Sequence, residues 1–237
     1  MAMALLADRN LPAGAERDRS GQSTGRFWRE DRWLGQALPG ATPDLAALGS
    51  ELAALGLTGL TDAGAQNGPE EAAMLGSAHI GEAMPQQLVL MGREDLPKGT
   101  RYRRGPLKLL IDERDPPDLG ELSARILVAR GQNRTVAAHR VTEAELALFL
   151  AALAASGGAC AGDRIEHGGM IPEPFIPVIA GQGLTVVTNP AFIHDRGDRY
   201  RATVAEARWD ELYRGRSLAA AGIPLAAGSD APYASHE

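Results

Sequence analysis

Four residues in this chain are of the types that could share one piece of chemistry. Lys108 lies in the apolar run LKLLID, His139 ends TVAAH, His167 ends DRIEH and Asp230 ends PLAAGSD. Neutral imidazoles and a carboxylate are ligands that suit Zn²⁺. Each residue alone also has a structural reading. A histidine at a strand end is commonly fixed by hydrogen bonds. A lysine in an apolar run can snorkel, and an aspartate after Gly-Ser is a ready helix cap. Lys, His, His and Asp in chain order at four separate strand ends form a much rarer coincidence.

The elements that must position them follow from apolar patterning. Short apolar runs at residues 57–64, 87–92, 107–112, 135–141, 163–168, 184–189 and 224–230 end in polar or glycine positions. Helical segments are expected at 46–55, 119–129, 143–155, 173–181 and 212–221. Thr142 is an N-cap candidate, and Gly56 and Gly222 are stop signals. Strands with two apolar faces alternating with helices predict a parallel sheet covered by helices. The fold class expected is α/β, a TIM-type (β/α)8 barrel that is incomplete, because seven strands are visible where a barrel has eight. An open doubly wound sheet is the alternative, although no GxGxxG or GxxxxGK[ST] motif is present. Residues 1–45 read as an irregular N-terminal segment and 46–237 as the partial barrel.

Composition narrows the function classes. The 237 residues carry 24 Lys+Arg against 30 Asp+Glu, a net charge of −6, which argues against a nucleic-acid partner. Cys160 is the only cysteine, so neither an internal disulfide nor a cysteine-rich zinc site can form. No apolar run is long enough to span a membrane, and the start lacks the basic region of a secretory signal. The expectation is a soluble cytoplasmic protein with a small-molecule substrate, free or as a homo-oligomer.

The stretches around these residues resemble the amidohydrolase superfamily, in the family-3 branch that includes N-substituted formamide deformylase. The resemblance rests on the Lys108 strand, AAH at 137–139, GDRIEHG at 162–168 and RSLAAAGIPLAAGSDAP at 216–232, with weaker matches at 21–30 and 52–64. It implies a metal-dependent hydrolase acting on a non-peptide C–N bond, an amide or an N-acyl or N-formyl amine. It further implies a divalent metal, zinc first, as one or two ions. Lys108 takes the place of a carboxylated lysine, His139 and His167 the places of two histidine ligands, and Asp230 that of a ligand and general base. A CO₂-derived carbamate would turn the Lys108 cation into an anion able to bridge metal, which burial favours by lowering the amine pKa.

Two departures from the family pattern matter. There is no H-x-H pair, and His79, His194 and His236 each stand alone. Neither half of the family's β-sandwich is visible. The expectation is a chain shortened at both ends, with a catalytically inactive remnant or interaction module as the alternative function. Asn189 and Phe192, just after the seventh run, are candidate substrate contacts. Glu166 reads as a ligand-orienting group or an ion-pair member, Asp62 as a supporting group or cap, and 194–200 as a polar, lid-like loop. Glu143 and Glu145 are read as first-turn helix residues, His79 as structural and Cys160 as small apolar filler.

Overall fold

The computed structural model describes residues 10–28, 30–38, 40, 43–80, 83–113 and 115–234. His236 lies outside them, as does the His79 side chain. The chain divides into two compact units, Met1–Asp44 and Leu45–Glu237.

In the first unit, β1 (Ala15–Arg17) and β2 (Ser23–Phe27) pair antiparallel. Their turn is shaped by Asp18, whose Oδ1 accepts from the backbone N–H groups of Ser20 and Gln22 at 2.8 and 3.0 Å. Helix α1 (Asp31–Ala37) follows, and the Trp33 ring stacks on Phe27 with centroids 5.8 Å apart. The sequence reading has no strand here. The ribbon is short and mostly exposed, so it carries no apolar alternation to be read.

The second unit is built on one parallel sheet. Its strands are β3 (Gly59–Asp62), β4 (Gln87–Gly92), β5 (Arg103–Leu110), β6 (Val136–Arg140), β7 (Arg164–His167), β8 (Thr185–Thr188) and β9 (Leu225–Ala227). They lie side by side in chain order, with β3 and β9 outermost. Every adjacent pair is parallel. This is the incomplete TIM-type barrel that the strand count predicts. Helices α2 (Leu45–Ala54), α3 (Pro69–Ile80), α4 (Leu119–Gly131), α5 (Glu143–Ala155), α6 (Ile176–Gly181), α7 (Ala191–Thr203) and α8 (Gly215–Ala220) lie between strands or before the first. Among the described residues, no helix is long and apolar enough to cross a membrane.

Strands β5 to β8 drive the core. Leu107, Leu109, Val136, Ala138, Ile165 and Val186 are fully buried beneath Leu122, Ile126, Phe149, Leu153 and Ile179 of the helices. Polar clamps then set how the strands meet. Asp163, wholly buried ahead of β7, accepts from Val136 N at 2.9 Å, from Cys160 N at 2.8 Å and from both terminal nitrogens of Arg130. It ties the end of α4 to the starts of β6 and β7. Thr142 and Glu145 form a capping box at α5. The Glu145 carboxylate also accepts from Val141 N at 2.6 Å and Glu113 N at 3.3 Å, joining the segments that follow β5 and β6.

Several elements differ from the sequence reading. Residues 194–200 lie inside α7 and are not a loop. That helix is polar around most of its surface and buries only Phe192, so its apolar period is too weak to read. Residues 173–181 split into a 3₁₀ turn at Glu173–Phe175 and α6. Cys160 is exposed and does not fill the core.

Candidate functional site

The carboxyl ends of β5 to β9 bring three of the four residues into one cluster around a fourth. His139 Nδ1 and His167 Nε2 face each other at 2.9 Å, with ring centroids 4.5 Å apart and planes at 72°. Asp230 Oδ2 lies 3.9 Å from His167 Nδ1. Lys108, buried at 5% exposure, interacts electrostatically with Asp230 and with both imidazoles.

Register alone would not bring the two rings together. His139 pairs with Glu166 across β6 and β7, whereas His167 pairs with Arg140. Strand alternation therefore assigns the two histidines to opposite faces. His167 has φ +69°, in the left-handed region, and Gly168 follows at +60°. This turn of the strand end re-aims the His167 ring towards His139. Asp230 also has positive φ, +55°. Among the described non-glycine residues only four are left-handed, and two of them belong to this cluster. Such strain persists only where the surroundings over-determine it.

Asn189 supplies one such constraint. Its Nδ2 donates to Gly228 O at 2.8 Å, so Oδ1 must accept, and His167 Nδ1–H donates to it at 2.8 Å. The neutral His167 tautomer therefore keeps its Nε2 lone pair towards His139. Asn189 is 4% exposed, and its amide orients a histidine and anchors it to the segment after β9. Phe192 stacks parallel to His167 at 6.3 Å.

The electrostatics keep both imidazoles uncharged. Burial, with His167 and Lys108 adding repulsion, lowers His139 to about 4. Burial also lowers His167, against the hydrogen bond it donates to Asn189, which raises it. Burial lowers the Lys108 ammonium, opposed by Glu166, and raises the Asp230 carboxyl, opposed by Lys108 and His139. Glu166 is held by Arg164 Nε at 2.5 Å, so it acts as an ion-pair member. Asp62 Oδ1 accepts from Gly64 N and Asn67 Nδ2. His194 is on α7 with its side chain 93% exposed.

The sequence reading missed a wall beside the cluster. Tyr213 meets Phe192 edge-on at 6.1 Å and its hydroxyl lies 3.0 Å from that of Tyr200. The Arg196 guanidinium sits 3.8 Å over the Phe192 ring. Phe192, Arg196 and Tyr200 are spaced i, i+4, i+8, the signal that reading 194–200 as a loop conceals.

The donor set can be tested against a divalent ion. With the His167 lone pair on Nε2, His139 Nδ1–H donates to it. An ion between the two nitrogens would take that proton's place, His139 then carrying its proton on Nε2, and the His167 ring is oriented from behind by Asn189. Nitrogens bound to one zinc at 2.0–2.1 Å stand about 3.3 Å apart in a tetrahedron, a few tenths wider than seen here. The pair fits. Among the described residues, however, no three His, Cys, Asp or Glu side chains stand together as a ready metal site. A third protein ligand would have to include Lys108.

The model of the amidohydrolase family matches residues 17–236. The fold is similar to an uncharacterized metal-dependent hydrolase from Pyrococcus furiosus, with TM-score 0.76 and 17% identity over 99% of this chain and 56% of that one. A similar hydrolase from Pyrococcus horikoshii OT3 gives 0.76 and 16% over 98% and 54%. The ochratoxinase of A. niger gives 0.52 and 15% over 78% and 55%. The chain thus spans about half the length of these structures. No curated protein gives a significant match.

Proposed function

The chain belongs to the amidohydrolase family, and from that premise we propose that it hydrolyses a non-peptide C–N bond of a small amide, an N-acyl or N-formyl amine, with zinc as cofactor. The observation that carries this reading is the pair of neutral imidazoles meeting at 2.9 Å beside Lys108 and Asp230. The family is generally metal-dependent, and His139 Nδ1, His167 Nε2 and a carbamate on Lys108 would hold the ion. When bound, zinc supplies an acidified water and polarises the scissile carbonyl.

The chain's own residues do the rest. Burial disfavours the Lys108 cation and leaves more of the neutral amine that adds to CO₂, releasing one proton to solvent. Asn189 holds the proton on His167 Nδ1 and so keeps Nε2 available. Asp230, its carboxyl raised by burial, is suited to take the proton of the attacking water and pass it to the departing amine. Phe192 and Tyr213 offer an apolar wall to the acyl or amine group.

The test is amine release from a panel of N-formyl and N-acyl amines by the full chain loaded with zinc and bicarbonate. Turnover should stop with chelator and in His139→Ala/His167→Ala, and Asp230→Asn should lower it by roughly 10²–10⁴. A second reading, a catalytically inactive family member, is favoured by the missing H-x-H pair. A folded, metal-loaded chain with no turnover anywhere in the panel would select it.

A further inference from the structure

We propose that a groove at the amino-terminal end of β5 and β6, the end opposite the histidines, binds a phosphate-bearing small molecule. Thr135, on the groove, lies four residue steps before His139, about 13 Å along a strand. The groove encloses about 500 Å³, and none of its lining residues is acidic. Lys98, Arg103, Arg104 and Arg134 all line it. Such a concentration of cations is not explained by the chain as a whole, whose net charge is −6.

Among the described residues none of these four side chains forms an ion pair. Among the described residues Arg134, 5% exposed, donates only to carbonyl oxygens: Gly105 and Arg93 at 3.2 and 2.7 Å, Gly92 and Pro106 at 3.3 and 3.0 Å. Arg104 likewise donates to the carbonyls of Leu96 and Gln132, at 3.4 and 3.2 Å. Glu94, which acts on Arg134 electrostatically, is occupied by Arg125 at 2.6 Å. Carbonyls satisfy the donors of a guanidinium but leave its charge uncompensated, and such charge is costly to bury. Burial, with Arg104 adding repulsion and Glu94 opposing, lowers Arg134 to about 10. A bound dianion offsets both the burial and the mutual repulsion of the two guanidinium groups.

The side chains divide the work. Lys98 and Arg103 are exposed and have no side-chain partner among the described residues, so they are available for charge-assisted bonds to phosphate oxygens. Arg104 and Arg134, fixed by backbone, supply a preset positive field. Tyr102, held by its hydroxyl on Pro97 O at 2.9 Å, gives an aromatic wall for the organic part of the ligand. The volume suits a small molecule, and the acidic remainder of the chain would repel a long polyanion.

The experiment is calorimetric titration of the metal-free full chain with inorganic phosphate, pyrophosphate and phenyl phosphate, at ionic strength held constant with chloride. The proposal expects saturable one-to-one binding. It should weaken at least tenfold in Lys98→Ala/Arg103→Ala, whose exposed positions leave the ligand-free Tm unchanged, and stay at the wild-type value in His139→Ala. No saturable binding, or equal binding by the double variant, overturns it. Binding confined to a single-stranded RNA oligonucleotide, with a steep salt dependence, overturns it in favour of a nucleic-acid contact. Because the readout is binding at the far end of the sheet, its failure would leave the hydrolase reading untouched.

Discussion

His139 is a half-buried base from which the fold excludes a second proton. In the unfolded chain it titrates near 6.5, in the folded metal-free chain near 4. Between those values the unfolded state binds more protons, so stability rises with pH and is lost as pH falls from 6.5 towards 4. The metal-free protein should lose at most about 3 kcal/mol across that window, in excess of the loss shown by His139→Ala. Urea denaturation at stepped pH measures it, and parallel curves for the two proteins would contradict the assignment. Asn189 has a different signature. Asn189→Ala removes the acceptor for His167 Nδ1–H and frees the ring's tautomer, so zinc affinity should fall about 10–100-fold while secondary structure persists. Competition with a chromogenic chelator reads this directly. At this scale the sequence was informative about residue type and blind to orientation. Lys108, His139, His167 and Asp230 were legible because each ends or occupies an apolar run. The left-handed turns at His167 and Asp230 were not, since neither is a glycine and nothing local announces φ above zero. The role of Asn189 behind His167 joins residues 22 apart in sequence, a relation no spacing rule contains.

The elements carry those residues by way of clamps between strand ends. Asp163 is the most exacting of these, a wholly buried carboxylate that satisfies two backbone N–H groups and one guanidinium. Removing it takes the acceptor from Val136 N–H and the carboxylate from Arg130, which keeps the Arg134 carbonyl at 3.3 Å, so Asp163→Ala should cost about 3–5 kcal/mol, seen as a lower urea midpoint. An unchanged midpoint would mean that water replaces the carboxylate and that β6 and β7 are held by packing alone. Strands β4 to β8 were legible as short runs ending in polar or glycine positions, and α5 because Thr142 marks its start; Asp118, which caps α4, went unread. Helix α7 was hidden by its polarity, and the β1–β2 ribbon by its exposure. Strand β5 begins at Arg103, ahead of its apolar run, because β4 supplies hydrogen-bonding partners from Val89 onward. In each miss, the stabilising partner was tertiary and therefore absent from the local pattern.

The second unit as a whole is a sheet whose site ligands come from separate strands, so metal binding and folding are coupled. His139 belongs to β6, His167 to β7 and Lys108 to β5, while Asp230 follows β9. An ion held by these groups cross-links strand ends that only the folded chain brings together, and it stabilises by mass action. At zinc a hundredfold above its dissociation constant the gain is about 2.7 kcal/mol. For a chain of this length that is a rise in Tm of about 5–10 °C. The gain should require bicarbonate, if the carbamate on Lys108 is the third ligand, and it should vanish in His139→Ala/His167→Ala. Thermal melts with zinc, with zinc and bicarbonate, and with chelator separate the cases. A rise with zinc alone would assign the ion to the imidazoles without Lys108. No rise in either metal condition would mean that the ligands of the absent H-x-H pair are indispensable for holding metal, and that this sheet keeps the family's geometry without its cofactor.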